Sequence, residues 1–199
     1  MRKLLSALLY TAALGVANPL AAEAAADPAA LEALREGDMR KLAVHALPRA
    51  GSEVPFTAED GGEMRFSDLA GKVLLVNFWA TWCAPCRAEM PHLAALQEEM
   101  GGPRFEVVTI ATGRNPRPAM EAFFEEIGVT GLPLHTDPRQ ALARDMGVLG
   151  LPITVILGPD GQELARLQGE ADWQSESARA ILAALVEALV PEDEAPAEG

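Results

Sequence analysis

Both cysteines of the chain, Cys83 and Cys86, are separated by two residues, just after a buried apolar run, and that placement constrains the fold more than any other feature. Residues 73–78 read as a buried strand, and from Pro85 onward Met90, Leu93, Leu96 and Met100 recur at helical spacing. A strand therefore ends, a helix begins, and the two cysteines flank the helix start one turn apart. Unpaired N–H groups and the helix dipole at that point stabilise a thiolate on Cys83 and lower its pKa. Cys86 can then close the short disulfide ring. Pro85 suits the first helical turn, where its missing N–H costs nothing.

Other uses of two close cysteines fit less well. Covalent haem attachment needs a histidine directly after the second cysteine, and the chain has Arg87. Structural zinc needs four ligands, and His45, His92 and His135 stand at no zinc-binding spacing. A copper(I) carrier needs only two thiolates and stays open as an alternative without redox turnover. The leading reading is dithiol–disulfide exchange, in which Cys83 attacks a partner disulfide and Cys86 resolves the mixed disulfide, with no cofactor and no metal. Trp82, Ala84 and Pro85 form the apolar rim that would meet a partner peptide. Glu89, one turn past Cys86, is placed to exchange the proton that Cys86 loses, although an acid in a first helical turn is also favoured by the dipole alone. Trp79 reads as core and Trp173 as packing.

With 199 residues and 49% apolar content, the chain suits one sizeable domain. Its formal net charge of −13 argues against nucleic-acid binding. Residues 1–25 have the plan of an export signal: Arg2 and Lys3, an apolar stretch, then Asn18-Pro19 and small residues. The apolar stretch is about 14 residues against roughly 20 for a span, so cleavage is favoured over retention of residues 4–22 as an inner-membrane anchor. Either way the remainder faces an oxidising compartment, read as a bacterial periplasm, where having no third cysteine leaves the pair without a competitor. A helical N-terminal arm is expected over 26–50, the folded domain over 51–190, and a disordered acidic tail over 191–199.

Within the domain, short strands at 54–57 and 64–66 form a hairpin around the acidic turn Glu59-Asp60-Gly61-Gly62. A second buried strand spans 105–111, so strand, helix and strand make a parallel unit. Helices are expected at 119–127 and 139–146 with a short strand at 134–136 between them. Strands at 153–157 and 163–167 close a second hairpin, and a final helix capped by Asp172 or Ser175 presents Ile181, Leu182, Leu185, Val186 and Leu189.

Trp82-Cys83-Ala84-Pro85-Cys86 with Phe78-Trp79-Ala80-Thr81 ahead of it, Gly147-Val148-Leu149-Gly150-Leu151-Pro152 downstream and the Gly169-Glu170-Ala171-Asp172-Trp173 segment resemble the thioredoxin superfamily, and within it the TlpA-like thiol:disulfide oxidoreductases of the TlpA/ResA/CcmG group. The resemblance covers about 54–190. It implies an α/β, thioredoxin-like fold: a central mixed β-sheet flanked by helices, with an N-terminal β-hairpin and a central αβ insertion. It also implies a cis bond at Leu151-Pro152 beside the cysteines, where both residues would bind an extended peptide. Thioredoxin itself uses a buried aspartate on the preceding strand; here that position is Asn77, and the resembled reductases have a glutamate where Glu89 stands. A reducing role is implied on protein disulfides: copper-site cysteines of a Sco-like chaperone or an oxidase copper subunit, or apocytochrome c as the alternative. Electrons would come from a membrane thiol reductant of the DsbD/CcdA type. The protein is expected to be a monomer.

Overall fold

The computed structural model describes residues 27–192; the expected signal at 1–25, and all but two residues of the expected tail, lie outside them. In chain order the elements are α1 (Pro28–Ala33), a 3-10 helix (Gly37–Lys41), β1 (Ala43–Arg49), β2 (Phe56–Thr57), β3 (Glu63–Met64), a second 3-10 helix (Phe66–Leu69), β4 (Val73–Trp79) and α2 (Ala84–Met100). There follow β5 (Phe105–Thr112), α3 (Arg117–Ile127), β6 (His135–Asp137), α4 (Ala141–Asp145), β7 (Ile153–Leu157), β8 (Glu163–Gln168) and α5 (Glu176–Leu189). The strands form one mixed sheet in the order β1-β8-β7-β4-β5-β6-β2-β3.

Strand β4 is the spine of this sheet because every one of its seven residues is buried. It runs parallel to β5 and antiparallel to β7. Side chains alternate between the two faces of a strand, so Val73, Leu75 and Trp79 enter a core packed by α1, α2, α3 and α5. Leu74, Val76 and Phe78 face the other way, toward Phe56, Phe66 and α4. Trp79 is fully buried and stacks on Phe124, with Phe123 alongside. The alternation also fixes Asn77: it lies on the α2 face between Leu75 and Trp79, opposite Thr154 of β7.

The arm differs from expectation. Only Pro28–Ala33 is α-helical, and Ala43–Arg49 is an edge strand antiparallel to β8 rather than part of a helix. Met39 and Leu42 are wholly buried, so the segment belongs to the core. What holds β1 in place is a buried ion cluster on the face opposite α2: His45 Nε2 lies 2.6 Å from Glu163 Oε1, and Arg166 donates to both Glu163 oxygens at 2.6 Å and to the Met146 carbonyl at 3.0 Å. Burial alone would raise the Glu163 carboxyl, and hydrogen bonds from Arg166 and His45 hold it below its ordinary value.

Smaller differences have local causes. The first hairpin shrinks to two-residue strands, and Phe66 begins a 3-10 helix in which Arg65 N donates to the Asp68 carboxylate at 2.7 Å. Helix α4 begins at Ala141 rather than 139 because Gln140 adopts a left-handed φ of 55°. Asp137 then accepts from the N–H groups of Ala141 and Ala143, both at 2.9 Å. Of the two cap candidates for α5, Ser175 is the one that accepts, from Ala178 N at 3.2 Å.

Candidate active site

Cys83 and Cys86 form a disulfide with an S–S distance of 1.99 Å. Cys83 is the N-cap of α2, with an extended backbone, and its sulfur accepts from Cys86 N at 3.2 Å. That N–H is one of the donors a helix start leaves without an intrahelical partner, so the same interaction favours negative charge on Cys83 when the pair is reduced. The two sulfurs are not equivalent. Cys83 keeps 5% of its surface exposed and Cys86 none, so of the two only Cys83 is open to the outside. Trp82 beside it is 69% exposed, Ala84 is exposed and Pro85 half-buried. The apolar stripe of α2, including Met90, faces the core.

Glu89 follows Cys86 by three residues on the same helix and is 1% exposed. Its Oε1 accepts from Asn77 Nδ2 at 2.7 Å, and its Oε2 accepts from Ala171 N and from Trp173 Nε1, each at 3.3 Å. Asn77 Nδ2 donates in addition to Thr154 Oγ1 at 2.9 Å. Burial pushes the Glu89 carboxyl up from 4.5 to about 7, against the three donors, which favour its charged form. A carboxyl poised there gains and loses a proton near neutral pH, which is what a general acid or base requires.

The peptide bond Leu151-Pro152 is cis. Phe78 pairs with Ile153 across β4 and β7, so one step along that register sets Pro152 against Trp79, at the sheet end where the chain turns toward Cys83. Pro152 is buried and Leu151 half-buried. The expected residues Trp82, Cys83, Ala84, Pro85, Cys86, Glu89, Leu151 and Pro152 thus gather at the end of the sheet formed by the β4 C-terminus and the β7 N-terminus.

Three residues escaped the sequence reading. Trp173 touches Glu89 as well as packing. Asn115 accepts from Thr81 N at 2.9 Å and Thr81 Oγ1 at 3.0 Å, tying the loop after β5 to the turn before the cysteines; within Gly113-Arg114-Asn115-Pro116 it reads as an ordinary loop residue. Leu149 is 94% exposed, two residues before Leu151, and in the sequence it stands only as part of the Gly147–Pro152 segment, with no role of its own.

The chain is 36% identical over 123 residues to the thiol:disulfide interchange protein HelX of Rhodobacter capsulatus, covering 62% of this chain and 63% of that one. It is 32% identical over 122 residues to the thiol-disulfide oxidoreductase ResA of Bacillus subtilis, covering 60% and 67%. The chain thus spans less than two thirds of the length of HelX. Among solved structures, a thiol:disulfide interchange protein DsbE from Chlorobium tepidum, itself described as putative, superposes with a TM-score of 0.60 at 25% identity, over 69% of this chain and 96% of that one. The thioredoxin-like α/β fold and the kinship with thiol:disulfide oxidoreductases expected from the sequence both hold. The AhpC/TSA family model matches residues 49–162, more than half of the 199 residues, and the chain belongs to the AhpC/TSA family.

Proposed function

We propose that the protein is a thiol:disulfide oxidoreductase that reduces disulfides of partner proteins in the periplasm. The observation that carries this reading is the Cys83–Cys86 disulfide at the start of α2, with only Cys83 reaching the surface. In the reduced protein the Cys83 thiolate attacks one sulfur of a partner disulfide; that S–S bond breaks and a partner thiolate leaves. Cys86 gives its proton to the Glu89 carboxylate and attacks Cys83 Sγ, which breaks the mixed disulfide and expels the second partner thiolate. The partner gains two electrons, and the protein ends in the disulfide form described above. Trp82, Ala84, Pro85, Leu151 and Pro152 supply the surface along which the partner segment lies.

Export is supported by the N-terminal signal plan and by similarity, at 26% identity and a TM-score of 0.55, to an exposed lipoprotein thioredoxin of Streptococcus pneumoniae. No described helix is long and apolar enough to cross a membrane. The resemblance to TlpA-like proteins points to copper-site cysteines as the target, with apocytochrome c as the alternative. A membrane thiol reductant would restore the dithiol.

The reducing direction rests on Ala84 and Pro85, which carry no polar group to stabilise the Cys83 thiolate further. Equilibration against glutathione or dithiothreitol buffers, followed by tryptophan fluorescence, should give a potential below about −220 mV. A value near −120 mV, about that of a strong oxidant, would overturn the direction. The exposed Trp82 is expected to act on partner binding alone. Trp82→Ala should raise KM for a peptide disulfide roughly tenfold, the scale of one aromatic contact, and leave the potential unchanged; a shifted potential with constant KM would remove Trp82 from the docking surface.

A further inference from the structure

Glu89 is buried beside the disulfide, yet it is not held by its own helix. Asn77 on β4 takes one oxygen, and the connection between β8 and α5 takes the other through Ala171 N and Trp173 Nε1. Trp173 is 1% exposed and lies 84 residues from Glu89 in sequence. This connection is itself anchored. Lys41 Nζ donates to the Glu170 carbonyl at 2.7 Å, and Asp172 N donates to Asp38 Oδ2 at 3.2 Å. A buried indole N–H needs an acceptor, and the acceptor here is the carboxylate that follows Cys86 by three residues on α2.

We propose that Trp173 is a positioning residue for proton transfer at the Cys83–Cys86 pair: its indole N–H fixes Glu89 Oε2 and favours the carboxylate form that accepts the Cys86 proton. This rests on the reading of Glu89 as that proton acceptor. The charged and titratable groups around the carboxylate are few: the two cysteines and His92 on α2, Glu170 and Asp172 on the connection, and Asp38 and Lys41 on the 3-10 helix. Glu170 disfavours ionisation. Lys41 is paired with Asp38 at 2.9 Å, and His92 Nδ1 lies 3.5 Å from Asp172 Oδ1 without a hydrogen bond. None of the basic groups donates to Glu89, so the neutral donors of Asn77, Ala171 and Trp173 are what oppose its burial.

Trp173→Phe keeps a ring in the core and removes the donor. A second variant carrying benzothienylalanine at 173 replaces the N–H by sulfur at nearly constant shape and covers the case in which the Phe variant folds badly. Two readouts apply. Carbon NMR of the Glu89 carboxyl should place its titration about one pH unit higher in both variants, a tenfold change in proton affinity. Stopped-flow reaction of the reduced protein with a bis(nitrothiobenzoate) disulfide releases one coloured thiolate on attack and a second on resolution. The second release should be about fivefold slower at pH 7 and converge with the native protein above about pH 9, as expected when the carboxylate form is the base. A lower Tm with unmoved titration and unmoved pH profile would make Trp173 structural only and overturn the proposal. If Glu89→Gln leaves the second release unchanged, the proton-acceptor reading falls and the positioning role falls with it. If Glu89→Gln slows the release and the two Trp173 variants do not, the positioning role alone is wrong.

Discussion

Cys86→Ser is expected to turn the proposed reductant into a trap, and Cys83→Ser to leave it inert. Exposure sets the order of events: an incoming sulfur meets Cys83, at 5% exposure, and cannot meet Cys86, at none. The Cys83 sulfur sits at the helix start within 3.2 Å of Cys86 N, and a serine at 86 keeps that N–H. The Cys86→Ser protein should therefore form a mixed disulfide through Cys83 at close to the native rate and then stop. Catalytic reduction of insulin disulfides should fall by at least about a thousandfold in either single variant. The double variant should lose no more, because the two sulfurs act as a unit. Intact-protein mass spectrometry of Cys86→Ser incubated with an exported-protein extract should show partners that a thiol releases. Equal trapping by Cys83→Ser through Cys86 would contradict the assigned order, and an empty trap would count against exchange.

The parts of this site that sequence reveals are those written in contiguous residues. The buried strand β4, apolar but for Asn77, the proline in the first turn of α2 and the two cysteines determine one another locally, and the structure has them as expected. Glu89 was legible to a degree: Cys86, Glu89, Met90, Leu93 and Leu96 follow one helical face and all are buried, so a carboxylate on that stripe had to be either paired or protonated. Its donors were not legible. Trp173 comes from 84 residues away, and no local periodicity links an indole on a connection to a carboxylate on a helix. Strand β1 fails for the same reason. Its seven residues show only one buried position, and the partner that holds it, Glu163, lies 118 residues from His45; a short stretch with Ala43, Ala46 and Leu47 in it looks helical until β8 is beside it.

Glu89→Gln should stabilise the oxidised protein in a pH-dependent way. The native carboxyl is raised from 4.5 to about 7, so between those values the unfolded chain has released a proton that the folded protein still holds. The folded state binds more protons, and its stability falls as pH rises through that window. The sign is the reverse of the usual salt-bridged carboxylate. The full difference amounts to about 3 kcal/mol, present as stabilisation below pH 4.5 and lost above pH 7. Glutamine has no proton to lose and can take the same place: its carbonyl accepts from Ala171 N and Trp173 Nε1, and its amide can donate to Asn77 Oδ1, which is buried without a partner in the native protein, once the Asn77 amide turns over. Urea unfolding of both oxidised proteins should give nearly equal stability at pH 4 and an advantage of about 2–3 kcal/mol for Glu89→Gln at pH 8. A difference that stays constant across that range would mean that Glu89 titrates at its ordinary value, and the base for Cys86 would have to be sought elsewhere. The same substitution should slow release of the second partner thiolate at pH 7, so one residue would trade stability for proton transfer. That trade is the expected mark of a buried acid kept for chemistry rather than for folding.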